Sequence, residues 1–204
     1  MPLIDSMLQE SEKDINDINC IAVAAGPGSF TGIRIGVATA RGLAQALDIP
    51  AVPVCTLQAL AEAIYAPGVL ICPLLDARRN QVYAAIYRRN NEKPYKLETL
   101  ANPIALSVDD LLAMIMKYDD QVVFLGEGLN SYSGKLEEGF PPGRVLLSPA
   151  PFRLCRAALI AISGRSVLYN NPDSSYLDLL PRYLRRPEAE RLADERGSTS
   201  KGGT

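Results

Sequence analysis

Residues 21–47 constrain this chain more than any other stretch, because they set an apolar strand, a glycine turn and an unusually apolar helix in a row. Ile21–Ala25 is an unbroken apolar run of strand length, the pattern of a strand with both faces covered. Gly26-Pro27-Gly28-Ser29-Phe30-Thr31-Gly32 then breaks the strand, its glycines permitting positive φ and close backbone approach. The spacing predicts a helix from about Thr31 to Leu47, capped by Ser29 or Thr31. Arg34, Arg41, Gln45 and Asp48 form its one narrow polar stripe. A surface helix normally keeps a broad polar face, so this one is expected to be covered on two sides. Gly32, Gly36 and Ala40 recur every fourth residue, with Gly42 beyond. An internal glycine costs about 1 kcal/mol against alanine, which a close backbone neighbour can offset. That neighbour is either the chain's own domain or, on a second face, a partner protein.

The turn is tested first as a phosphate loop, since glycine-rich turns opening a helix present free N–H groups. It is not a Walker A loop, for no Lys-Ser or Lys-Thr follows, and its G-x-G-x-x-x-G spacing is not the dinucleotide fingerprint. Gly26, Gly28, Ser29, Thr31 and Gly32 stand as possible loop contacts. The chain contains no histidine, which removes Ser-His and Cys-His nucleophilic systems, histidine-built zinc sites and the H-E-x-x-H pattern. Its net charge of −2 does not suggest a chain that holds RNA unaided. Cys20, Cys55, Cys72 and Cys155 are widely spaced with no C-x-x-C, and three of them sit in apolar runs and read as buried thiols of a cytoplasmic protein. No apolar run reaches membrane-span length, and no basic-then-apolar leader pattern opens the sequence.

Gly26-Pro27-Gly28-Ser29-Phe30-Thr31-Gly32-Ile33-Arg34-Ile35-Gly36 closely resembles the signature of the TsaB (YeaZ) family. The resemblance continues through Ala38–Ala44, Pro53–Leu57, Asp76–Tyr83 and Pro181–Arg185, and so covers most of residues 1–186. It implies an α/β, two-lobed fold of the actin/Hsp70/sugar-kinase (ASKHA) type. It also implies a non-catalytic subunit of the bacterial system that places threonylcarbamoyladenosine beside the tRNA anticodon, with no cofactor of its own. The implied partners are TsaD, the catalytic subunit, through the first-lobe helices, and TsaE, an ATPase. TsaC supplies the activated group, and tRNA is met only indirectly. Family members begin with about three further strands, so the resemblance makes this chain an N-terminally shortened one whose first lobe is incomplete.

The rest of the chain is read in order. Residues 2–13 predict a short amphipathic helix with Leu3, Ile4, Met7 and Leu8 on one face. Ala51–Val54 predicts a second buried strand, with Thr56 capping a helix Leu57–Tyr65, and Ala66-Pro67-Gly68 marks a domain boundary. Residues 1–66 are thus a partial first lobe, 67–186 a second α/β lobe and 187–204 a disordered tail. In the second lobe, strands are predicted at Val69–Leu75, Gln81–Arg88, within Tyr95–Leu100, at Val122–Leu125 and at Val145–Leu147. Helices are predicted at Val108–Met116, near Ser131–Glu138 and at Phe152–Leu168. Asp76–Asn80 is expected to be a solvated hairpin turn, the alternative being a polar rim facing a cleft or partner.

The partner interface is placed on Leu3 and Met7 of the first helix and on Ile33, Gly36, Val37 and Ala40 of the second, with Arg34 and Arg41 at its rim. A symmetric homodimer through the same face is the alternative. A glycoprotease-like enzyme is a third reading, for which Ser29 and Thr31 lack a histidine base. A fragment that cannot fold alone is the fourth.

Overall fold

The computed structural model describes residues 2–90 and 96–185. The tail expected over 187–204 lies outside the described residues. Among the described residues there are six α-helices and seven strands, the strands forming two sheets, of two and five.

The small sheet pairs β1 (Ile21–Gly26) with β2 (Ala51–Cys55) in parallel, with Ile21 opposite Ala51. α2 (Phe30–Leu47) connects them. Ser29 caps α2 by accepting from the Gly32 N–H at 3.4 Å, and Asp48, left-handed at φ 52°, ends it. Ile33, Val37, Ala40 and Ala44 of α2 pack on one face of this sheet, with Ala25 and Ala51. Pro53 lies on the outer edge of β2, where a missing N–H breaks no ladder bond.

The larger sheet has the order β5-β4-β3-β6-β7. β3 (Leu70–Asp76), β4 (Gln81–Arg89) and β5 (Leu97–Ser107) form an antiparallel meander. β6 (Val122–Leu125) and β7 (Val145–Leu147) continue from β3 in parallel. Alternation in β3 sends Leu70, Cys72 and Leu74 to the face covered by α4 (Val108–Ile115) and α5 (Leu129–Glu138). Ile71 and Leu75 point the other way, onto Leu57 and Leu60 of α3 (Thr56–Glu62).

Two expectations need correction. Thr56 does not cap the third helix: it is that helix's first residue, and Cys55 precedes it without a side-chain cap. The last predicted helix does not complete the second lobe. It starts later, as α6 (Ala157–Asn170), and returns to the first lobe, packing on β1, β2 and α3. A Cβ at Gly164 would fall on the Ala22 methyl and lie 3.3 Å from a Val52 methyl, so glycine is what lets α6 reach the small sheet. α3 packs on both sheets and α6 beside it on the small one, so the described chain stacks as α2, small sheet, α3 with α6, large sheet, and α4 with α5. The first lobe is discontinuous in sequence, because its sheet comes from residues 21–55 and one of its covers from 157–170.

Candidate functional site

A cleft of about 780 Å³ opens where the loop before α2, the β3–β4 turn, the start of α5 and the closing segment of the chain meet. Pro27–Thr31 form one wall, Asp76–Arg79 another, and Glu127, Asn130 and Ser131 a third; Arg182–Arg185 lie along the rim.

The closing segment is pinned at four points. Leu179 is buried in the first-lobe core beside Ala25 and Ile33. The Arg182 N–H donates to the Ala25 carbonyl at 2.7 Å. Tyr183 stacks on Phe30 with centroids 4.9 Å apart and accepts from Arg34 Nε at 2.8 Å. Arg185 Nη1 donates to the Ala77 carbonyl at 2.9 Å, which ties the segment to the second lobe. Sequence spacing gave no hint of these pairings, since they join residues more than 100 positions apart.

The loop residues divide by role. Gly28, Ser29 and Thr31 line the cleft. Gly32 spends its N–H on the Ser29 cap. Gly26 is buried at φ 123°, and a Cβ there would strike the Arg182 carbonyl, so this glycine serves the closing segment. The peptide bond between Gly26 and Pro27 is cis.

The β3–β4 turn borders the cleft through Asp76–Arg79, while Arg78, Arg79 and Asn80 stay exposed to solvent, so the solvated turn and the polar rim describe the same residues. Arg78, Arg79 and Asn80 are all left-handed, at φ 64°, 55° and 57°. Asparagine tolerates that conformation, but each arginine carries a strain of about 1 kcal/mol or more there. The turn is held by Asp76 Oδ1, which accepts from the Arg78 N–H at 2.7 Å, and by the Ala77 N–H to Gln81 carbonyl bond at 3.0 Å.

The residues named for a partner interface fall on both sides of α2. Ile33, Val37 and Ala40 are buried against β1, and Gly36 meets a Val23 methyl at 3.7 Å. That face is used by the chain itself. Arg34 is exposed but engaged, its guanidinium 4.1 Å above the Phe30 ring, while Arg41 is half-buried. The uncovered face is the opposite one: Ile35, 63% exposed, with Ala38, Thr39 and Gly42, where a Cβ would meet nothing within 4 Å. Leu3 and Met7 of α1 (Pro2–Glu10) are exposed, at 87% and 54%.

All four cysteines are free thiols. Burial lifts the Cys155 thiol to about 11, with Cys55 adding to the effect, and lifts Cys72 further. Among the described residues no group of three His, Cys, Asp or Glu side chains is placed to hold a metal ion, and no helix is long and apolar enough to cross a membrane.

Comparison with known proteins gives the fold and the family. Two solved structures, YeaZ from Pseudomonas aeruginosa and a protein described as similar to peptidase YEAZ from the same organism, superpose with TM-scores of 0.72 and 0.69. Each covers 90% of this chain and 82% of the solved one at 24% identity, and shows the fold, the two-lobed α/β type. The family described as "TsaD: tRNA N6-adenosine threonylcarbamoyltransferase" matches residues 1–191. The tRNA threonylcarbamoyladenosine biosynthesis protein TsaB of Bacillus subtilis is 34% identical over 195 residues, covering 93% of this chain and 80% of the relative. Its Escherichia coli namesake is 28% identical over 182 residues, with 87% and 78% covered. Within the broader TsaD-type family, this chain belongs to the TsaB (YeaZ) family.

Proposed function

We propose that the chain serves tRNA threonylcarbamoyladenosine biosynthesis, the process for which its relatives are named, as a non-catalytic subunit in the cytoplasm. Its partner is a TsaD-like catalytic subunit; a TsaE-like ATPase joins the pair, and a TsaC-like enzyme supplies the activated group.

One observation supports the partner role above the others. α2 packs one apolar face on its own sheet and leaves a second, nearly uncharged face, Ile35, Ala38, Thr39 and Gly42, in the open. Covering such a face removes apolar area from water at about 25 cal/mol per Å². α1 adds Leu3 and Met7 as exposed apolar side chains. The absence of histidine from the sequence fits a subunit that leaves the chemistry to its partner.

Light scattering on size-exclusion fractions tests the reading. The chain mixed with a TsaD-like subunit should elute as a stoichiometric heterodimer, and Gly42→Arg, which has room in the isolated chain, should abolish it without lowering the melting temperature. A homodimer that ignores the TsaD-like subunit and is broken by the same change would instead favour self-association.

A further inference from the structure

Four arginines gather on the rim of the cleft although the chain as a whole has a net charge of −2. Arg78 and Arg79 come from the strained β3–β4 turn, and Arg182 and Arg185 from the closing segment. The carboxylates lining the same cleft are Asp76 and Glu127. Asp76 is occupied with the turn's backbone, and its ion pair with Arg78 is long, 3.9 Å, with the guanidinium 88% exposed. Such a pair contributes little. Arg185 spends one donor on Ala77 and keeps the rest of its fork. Arg182 is fixed at its backbone, while its guanidinium has no protein partner among the described residues. The turn would relax with glycine at position 78; an arginine held there against strain is the pattern of a side chain kept for what it touches.

We propose that this rim binds the phosphodiester backbone of an RNA strand, an inference that rests on the tRNA-modification reading above. Arginine forks match phosphate oxygens two at a time, in a geometry lysine does not offer. The arginines come from two separate elements, which suits a strand laid along the cleft. Contacts of this kind fix register and orientation and carry no sequence information. The overall negative charge keeps binding local to the rim and explains why composition alone points away from RNA.

The test is fluorescence anisotropy of a labelled, unmodified tRNA transcript, with the full chain alone and with its TsaD-like complex, across a salt series. Arg78→Gly and Arg182→Ala should each weaken binding about 3- to 10-fold and lower the salt slope by about one. Arg78→Gly should do so with an unchanged or raised melting temperature, which separates the effect from unfolding. Unchanged affinity and slope in the double variant would overturn the inference. So would displacement of the tRNA by millimolar ATP whose own binding shows the same variant sensitivity, since the ligand would then be a free nucleotide. Failure of the heterodimer to form would sink the functional reading, whereas the anisotropy of the chain alone still decides the rim.

Discussion

Arg34 and Tyr183 meet at 2.8 Å across 149 positions of sequence, joining the N-terminal part of α2 to the segment that follows α6. Phe30 completes the group, with its ring against Tyr183 and beneath the Arg34 guanidinium. Tyr183→Phe keeps the rings and removes the hydrogen bond, and should cost about 0.5–1.5 kcal/mol in urea unfolding. Tyr183→Ala should cost more. Equal losses for the two would mean that the stacking contributes nothing.

Gly164 and Gly42 should respond to alanine with opposite signs. The added methyl at 164 meets Ala22 and Val52 and should destabilise by about 1–3 kcal/mol through overpacking. At 42 it meets nothing and should stabilise the helix by about 0.5–1 kcal/mol. Thermal unfolding of the two single variants is the check; a shift in the same direction would contradict the layer order described for α2 and α6.

Arg89 is 2% exposed, donates to the Glu62 carboxylate at 2.7 Å and donates to the Ile64 carbonyl at 2.7 Å. It fastens the end of α3 to β4. Arg89→Ala leaves Glu62 in a half-covered site without its cation and should cost about 3–5 kcal/mol. Glu62→Gln, which keeps an acceptor, should cost less. If chemical denaturation ranks Glu62→Gln as the more damaging, the pair is not what holds this joint.

Alkaline pH should weaken the fold. Cys155, Cys72 and Tyr87 are all raised by burial, so the folded chain disfavours their anions relative to the unfolded chain. The thiols' contribution is whole below their ordinary value of 9.0 and that of Tyr87 below 10.0; each falls as pH rises from there, and that of Cys155 is spent at about 11, where it ionises in place. Urea midpoints across that range should decline, and Cys155→Ser should flatten part of the decline. A midpoint that is level from pH 9 to 11 would count against this origin.

Much of the fold is legible in the chain. Val122–Leu125 and Val145–Leu147 read as strands at their observed bounds because turn residues bracket short apolar runs, and Ser107 caps α4 as the pattern demands. The inward face of α2 was not legible, because both faces are apolar and the four-residue glycine spacing drew attention to Gly36 and Ala40, which face the sheet. The return of α6 was equally hidden: its apolar residues would suit either lobe, and only the space at Gly164 shows where it belongs. In the cleft, the glycine loop announced itself. Arg182 and Arg185 did not, since their placement depends on Leu179 being drawn into a core formed by residues far upstream.

The discontinuous first lobe has a consequence for a chain made from one end. Residues 70–147 contain the whole large sheet and two of its covering helices, and can pair as they leave the ribosome. β1 and β2 are synthesised earlier but must wait for Ile160, Gly164 and Leu179 before both their faces are covered. The lobe encoded first is the lobe completed last.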